Sequence, residues 1–470
     1  MVLGDIIRLF SITDFVDLTV IIVVVLALNL MAGYAGIPNF GMALFVFIGA
    51  FVLAGIGTRI SLLLVNYVDP TFVESLSREY MLIALKYNGS LRDLVVYGVA
   101  GDPIVNRVAA PKLEEIISGD LMLSAILMIT IFGLALILGA LTGIIASFAA
   151  IRLREDYLAI VLLAFSEMMV TVVFDQTDAL AGGPNGAWVV RPWPSVLETA
   201  IKPLTPGGVK PDIMIALLVS LLILAVSLVY VERIANSPMG RALRAMRDDD
   251  LAISVYGRDV ASIRLKVMAI GASIASIAGA IYATVHSPVK AVDYNRVDWT
   301  FVPWAMMILG GMANNWGVIL GAIVVYVGKR LIYYYLPPIT SFLASTLQAT
   351  SWLIVGVTSS TLITLALALL LLQVKLINPK FKVIARYTGV ALAIIAVSVL
   401  LLYPTIGAIW NNIDIVRAII PNIFVGILII LVLYLRPQGI VPEKPSKTIS
   451  RRELEEVKAK ILERSSQASS

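Results

Sequence analysis

Long apolar stretches separated by short polar segments dominate the chain. Eight stretches lack Asp, Glu, Lys and Arg: residues 18–58, 121–151, 213–231, 267–289, 299–328, 331–374, 387–413 and 418–435. Each can hold a membrane-spanning helix of about 20 residues, and the longest can hold two. The pattern does not show the alternating segments of about 10 residues that are typical of a membrane β-barrel. It predicts an all-α polytopic membrane protein.

The apolar stretches predict about 11 spans, within a range of about 9–12. We place them at 18–34, 40–58, 121–150, 157–175, 213–231, 264–286, 301–312, 317–336, 351–373, 383–403 and 414–435. The 301–312 span is a short one, interrupted by two glycines. Lys and Arg concentrate at 152–154, 237–266 and 375–386 and after 436, which predicts that these segments and the C-terminus are cytoplasmic.

This path divides the chain into segments with different expected roles. Residues 1–58 hold the first two spans, and 59–118 form a large extracytoplasmic loop. The core spans occupy 119–336 and include a cytoplasmic loop at 232–266. Residues 337–412 add a pair of spans, 413–435 form the last span, and 436–470 are a polar tail.

The composition narrows the possible chemistry. The 470 residues are 59% hydrophobic and 14% charged, with no cysteine and a single histidine, His286. Thiolate catalysis and multi-histidine metal sites are therefore excluded, and no P-loop pattern is present to bind ATP. We expect no enzymatic activity, no cofactor, no metal and no nucleic-acid partner, whereas the lipid bilayer is an expected partner.

The polar segment 237–266, which we call the island, carries too many arginines to lie in lipid. Ser237 and Pro238 form an N-cap and first-turn pair, and three aspartates at 248–250 suit the start of a second helix. Gly257 is placed to end that helix. The island thus predicts two short helices, which either pack on their own bundle or dock another protein.

Two Gly/Asn-rich breaks interrupt spanning sequence, at 33–41 and 310–317. Such breaks in transporters often border the substrate site, and the alternative is a hairpin turn at the surface. Glu167 is an ionisable residue on a predicted span, where a proton site, a packing hydrogen bond and a vestibule position are alternatives. The candidate substrate path comprises Asn29, Gly33, Tyr34, Gly36, Asn39, Gly41, Glu167, Gly310, Gly311 and Asn314.

Small residues recur at helical spacing along the span after the island. Gly271, Ala275, Gly279 and Ala283 form this stripe. The spacing lets helices approach closely, which indicates structural packing, with a moving gate as the alternative. The pairs Gly139/Gly143 and Gly317/Gly321 have the same interpretation.

The island sequence SPMGRALRAMRDDDLAISVYG and the stretch NLMAGYAGIPNFG at 29–41 resemble motifs of a known family, the branched-chain amino acid ABC transporter permeases. The first resembles the family's cytoplasmic loop, and the second resembles its first motif. Further matches are RLREDYLAI, GGPNG, LGGMANNWG and RPQGIV, and the RLRxxYxAI element points to the M-type (LivM-like) subunit. Ile37, Pro38, Asn39 and Met42 depart from the family's usual residues.

The resemblance implies an importer permease of the cell membrane that carries branched-chain or other hydrophobic amino acids. It implies two separate ABC ATPase subunits, a homologous H-type permease and an extracytoplasmic substrate-binding protein as partners. The implied ATPase contact comprises Gly240, Arg241, Arg244, Arg247, Asp248, Asp249, Asp250, Leu251, Ala252, Tyr256 and Gly257. The alternatives are an ion-coupled secondary transporter using Glu167, or the same architecture carrying urea or short amides.

Overall fold

The computed structural model describes a largely helical chain. It covers residues 10–79, 91–153, 155–174, 176–177, 180, 182–206, 208–249, 253–254, 257–336, 420–421, 423–428, 430, 434 and 438–443. The predicted spans at 351–373 and 383–403, and the tail beyond 443, lie outside these residues. The chain divides into two compact units, Met1–Val324 with Val432–Ser470, and Val325–Leu431. Every side-chain and backbone contact discussed below lies in the first unit.

The helices are numbered in chain order. They are α1 Ile12–Leu28, α2 Met42–Phe51, α3 Thr58–Val68, α4 Phe72–Glu79, α5 Leu91–Asp93, α6 Pro103–Gly119, α7 Leu121–Arg152, α8 Glu155–Glu167, α9 Ser195–Ile201, α10 Pro211–Asn236, α11 Pro238–Asp248, α12 Val260–Val285, α13 Val302–Gly310 and α14 Asn315–Leu336. π-helical turns continue α1 over Asn29–Tyr34, join α2 to α3 over Val52–Gly57, extend α8 over Met168–Phe174 and precede α13 over Val297–Phe301.

Six helical segments among the described residues are long and apolar enough to cross a membrane. They are Ile12–Tyr34, Met42–Val68, Leu121–Phe148, Pro211–Asn236, Val260–Val285 and Asn315–Leu336, with a shorter apolar helix at Tyr157–Val172. β-structure in the described part of the chain is confined to one bridge between Ala187 and Val289. The prediction of an all-α polytopic membrane protein is confirmed.

The second span is longer than predicted. We ended it at residue 58 because Arg59 follows, but the helix continues to Val68. The Arg59 guanidinium donates hydrogen bonds to the carbonyl oxygens of Gly55, Leu180 and Val95, at 2.7, 3.1 and 3.0 Å. These carbonyl groups solvate the guanidinium within the fold, and the helix therefore does not need to end at this arginine.

Helix α12 is the centre of the bundle and packs against α1, α2 and α7. The small-residue stripe lies at these contacts: a Cβ added to Gly279 would collide with the Val46 carbonyl, and one added to Gly271 with Met31. Gly49 on α2 meets the Ser276 carbonyl, and Gly143 on α7 meets the Met268 carbonyl. The predicted packing role of the stripe is confirmed, because only small residues let the backbones approach this closely.

The end of the bundle opposite the island is held by polar contacts. Arg191 forms ion pairs with Asp212 and with Glu114, the latter at 3.4 Å. Burial raises the pKa of the Glu114 carboxyl, and the Arg191 charge opposes that shift. His286 lies 2.8 Å from Asp17, so α12 and α1 are also joined at this end.

The packing of α2 on α12 can be tested with Gly49→Val. The added side chain would enter the Ser276 carbonyl, and we expect a loss of about 3 kcal/mol or more. That loss should lower the thermal unfolding midpoint in detergent by roughly 5 °C or more. Gly133→Val is the matched control, because no atom lies within 4 Å of a Cβ placed there. Equal midpoints for the two variants would contradict this packing.

Candidate functional site

The first helix of the island, α11, begins as the sequence predicts. The Ser237 side chain accepts hydrogen bonds from the backbone N–H groups of Met239 and Gly240, at 3.1 and 3.4 Å. Pro238 occupies the first turn, where its missing N–H costs nothing. Gly240 leaves no room for a Cβ, because the Ala235 carbonyl fills that space. A tight corner therefore joins α10 to α11.

The second predicted helix of the island ends at Gly257. Ile253 and Ser254 are helical, and Gly257 has a φ of +72°. The Gly257 N–H donates to the Ser254 carbonyl at 3.0 Å, and the Arg258 N–H donates to the Ile253 carbonyl at 3.4 Å. These two bonds form a Schellman motif, which confirms the predicted stop. The candidate contact residues Asp250, Leu251, Ala252 and Tyr256 lie outside the described residues.

Helix α11 has one face on the bundle and one face open. Gly240, Leu243 and Met246 are buried, whereas Arg241 and Asp248 are exposed. Asp249 follows with an extended backbone, φ −160°, and ends the helix. The island is thus a structured element that packs on its own bundle and leaves a charged surface available.

Two arginines of α11 share one carboxylate, and we call Arg244, Arg247 and Glu443 the Arg–Glu cluster. The Arg247 Nη2 lies 2.9 Å from Glu443 Oε2. The Arg244 Nε lies 3.2 Å from Glu443 Oε1, close enough for an ion pair, although it has no aligned hydrogen-bond acceptor among the described residues. The side chains are about a third exposed or less, at 27–30%. Glu443 therefore ties the segment 438–443 to the island.

The same two arginines contact the first glycine break. Arg247 donates from Nη1 to the Gly33 carbonyl at 2.9 Å. Its side chain also covers Gly36, which has a φ of +70° and where a Cβ would lie 2.9 Å from Arg247 Cγ. The Arg244 guanidinium lies over the Tyr34 ring, 5.2 Å from its centroid. The break at 33–36 is therefore capped by the island helix.

The second break pairs with the C-terminal segment. The backbone N–H groups of Ile440 and Val441 donate to the carbonyls of Leu309 and Gly310, at 2.8 and 3.0 Å. Gly311 has a φ of +112°, and the Val441 carbonyl occupies the space of its missing Cβ. These contacts satisfy the carbonyls at the end of α13, where the helix stops.

A chain of amides joins the two breaks to α10. Asn29 accepts from the Ala313 N–H at 2.9 Å and donates to Asn315 Oδ1 at 3.0 Å. Asn315 in turn donates to Glu232 Oε2 at 2.6 Å. Asn314 separately donates to the Pro442 carbonyl at 3.0 Å. All of these contacts belong to the end of the bundle where α11 lies, which we call the island end.

The candidate substrate-path residues therefore fall into two groups. Asn29, Gly33, Tyr34, Gly36, Gly310, Gly311 and Asn314 lie at the island end, in one network with the candidate contact residues Arg244 and Arg247. Asn39, Gly41 and Glu167 lie elsewhere. At the start of α2, Asn39 Oδ1 accepts a hydrogen bond from the Gly41 N–H at 2.8 Å. Glu167 Oε1 lies 3.8 Å from Arg296 Nη1.

A cavity of about 500 Å³ opens at the island end. Its lining residues are Ala32, Gly33, Arg247, Ile308, Met312, Gln438, Pro442 and Glu443. The sequence did not single out Glu443 or Glu232. In the sequence, Glu232 is only an acidic residue near the end of a span, and Glu443 is only an acidic residue in a basic tail. Many solvated side chains have such positions.

These features define a multi-pass membrane protein whose interrupted helices meet a structured polar loop. A family model described as "Branched-chain amino acid transport system / permease component" matches residues 12–357. The chain belongs to this family of transport permeases, which are multi-pass proteins of the cell membrane.

Named relatives agree with the family match. The chain is 33% identical to the probable branched-chain amino acid transport permease protein LivM of Methanocaldococcus jannaschii, over 67% of this chain and 78% of that protein. It is 32% identical to the LivM proteins of Salmonella typhimurium and Escherichia coli, over 43% of this chain and half of each relative. No solved structure matches the chain.

The Arg–Glu cluster can be tested with Glu443→Gln. Removing the carboxylate leaves two guanidinium groups side by side, and we expect the docking of α11 to weaken by about 1 kcal/mol. Hydrogen exchange over 238–248 in lipid nanodiscs should then accelerate about fivefold. Glu115→Gln, which removes an exposed carboxylate on α6, is the control. Unchanged exchange in the Glu443 variant would show that the cluster does not hold the island.

Proposed function

We propose that this chain is the transmembrane permease subunit of an ABC importer. It carries branched-chain or other hydrophobic amino acids inward. Two separate ATPase subunits bind the cytoplasmic face and hydrolyse ATP, a homologous H-type permease completes the translocation unit, and an extracytoplasmic binding protein delivers the substrate. Membership of the branched-chain permease family supports this proposal.

The island couples the ATPases to the bundle in this proposal. The observation that carries it is the two-sided character of α11: Arg241 and Asp248 are exposed, while Arg247 donates to the Gly33 carbonyl. A partner that moves the open face of the island therefore also moves the first glycine break. The proposed contact surface is Arg241, Arg244, Arg247, Asp248, Asp249, Asp250, Leu251, Ala252, Tyr256 and Gly257, centred on 248–257. Gly240, which the sequence placed in this set, is instead buried at the corner between α10 and α11.

The island-end network then acts as the inner gate. Gly33 and Gly36 contact Arg247, and Gly311 contacts the segment 438–443. A shift of α11 pulls on both breaks, because Glu443 links Arg247 to that segment. The cavity of about 500 Å³ between these elements is the inward exit of the substrate path. The gate switches between two packings, and ATP binding by the partner subunits selects one of them.

Replacing Asp249–Ala252 with Gly and Ser residues tests the coupling role. We expect at least tenfold less ATPase subunit to co-purify with the chain, and ATP-driven leucine uptake into proteoliposomes to fall by a similar factor. The replacement removes the aspartate charges that a partner would recognise. Lys202→Ser, an exposed substitution on the connection between α9 and α10, is the control and should retain both activities.

Two outcomes would count against the proposal. Full assembly and full ATP-driven uptake in the island variant would remove the coupling assignment. Uptake that persists without ATP and collapses with an uncoupler would instead support an ion-coupled secondary transporter.

A further inference from the structure

A charged pair lies on the flank of the bundle, outside the island-end network. Glu167, at the end of α8, faces Arg296 with 3.8 Å between Oε1 and Nη1. Their side chains are 42% and 52% exposed, and the neighbouring Met168 is 49% exposed. An ionisable pair on a spanning flank is unfavourable against hydrocarbon and is expected to face a cavity or another protein.

Three aromatic side chains pack together near the start of α13. The rings of Phe40 and Trp304 are stacked, 4.7 Å apart with an interplanar angle of 11°, and Phe301 meets Phe40 edge-on at 6.1 Å. The Trp304 indole donates to the Asn39 carbonyl at 2.9 Å, which fixes its orientation. Phe301 is 40% exposed. We call Phe40, Phe301 and Trp304 the aromatic shelf.

The start of α2 holds the pair and the shelf together. The Leu44 N–H donates to Ser166 Oγ at 3.1 Å, and Ser166 immediately precedes Glu167. The Ala43 N–H donates to Thr300 Oγ1 at 3.2 Å, and Thr300 immediately precedes Phe301. Ser166 and Thr300 are buried, so each fixes the backbone position of a partly exposed neighbour. The backbone before Glu167 and the backbone before Phe301 are thereby held by adjacent residues of one helix start.

We propose that this flank is the permease's own recognition site for a zwitterionic amino acid with an aliphatic side chain. Glu167 receives the ammonium group, Arg296 receives the carboxylate, and the aliphatic side chain lies on the aromatic shelf. The second permease subunit closes the site from the other side. This inference rests on the proposed function and names the substrate contacts within it. Both side chains are about half exposed, so each charged group is accessible to a ligand.

The test measures direct binding of leucine to the assembled complex in nanodiscs, without the binding protein. Competitors are 4-methylpentanoate, which lacks the ammonium group, and leucinamide, which lacks the carboxylate. We expect the natural complex to prefer leucine over each competitor by more than tenfold. Glu167→Gln should abolish the preference over 4-methylpentanoate, and Arg296→Gln the preference over leucinamide. A merely structural ion pair would not change these two ratios selectively.

Phe40→Leu tests the shelf, and Glu115→Gln is the control. The Phe40 variant should keep both charge preferences but change the preference for leucine over alanine at least threefold. Preferences that are unchanged in all variants, or no leucine binding by the natural complex, would overturn the site.

ATP-driven uptake by the natural complex with its binding protein is measured in parallel. Its absence would overturn the proposed importer function itself.

Discussion

Interrupted helices within a membrane bundle must satisfy the backbone groups that each interruption frees, because hydrocarbon offers no hydrogen bonds. In this chain, groups from distant segments supply them. Arg247 donates to the Gly33 carbonyl, Asn29 accepts from the Ala313 N–H, and the N–H groups of Ile440 and Val441 donate to the end of α13. At the start of α2, the hydroxyl groups of Ser166 and Thr300 do the same. The arrangement of the first unit depends on these contacts.

This constraint explains why two sets of residues that the sequence separates meet in one network. The glycine breaks suggested a substrate path, and the island suggested a partner contact. Arg244 and Arg247 belong to the island, yet they are also the groups that cap the break at Gly33 and Tyr34. The proposed contact surface and the first glycine break thus share side chains. Under the proposed function, this sharing connects the partner directly to the substrate path.

Local features were predictable from the sequence, because their causes are local. Apolar length predicted the six long spans found among the described residues. Ser237 and Pro238 predicted the start of α11, and Gly257 predicted the stop of the second island helix. The stripe from Gly271 to Ala283 predicted close packing for the same reason. The roles of Glu443 and Glu232 could not be predicted, since their partners are 196 and 83 residues away in sequence. The helix past Arg59 was missed because carbonyl groups from other segments accept hydrogen bonds from that guanidinium.

The position of Glu443 has a consequence for biosynthesis. The carboxylate that links Arg244 and Arg247 lies 196 residues after Arg247, so the ribosome makes it after it has made α11 and both breaks. Until that segment emerges, the two guanidinium groups lack their shared counter-ion and the end of α13 lacks its backbone partners. The nascent permease therefore has a looser island end than the finished chain, and the arrival of residues 438–443 marks the point at which that end is completed.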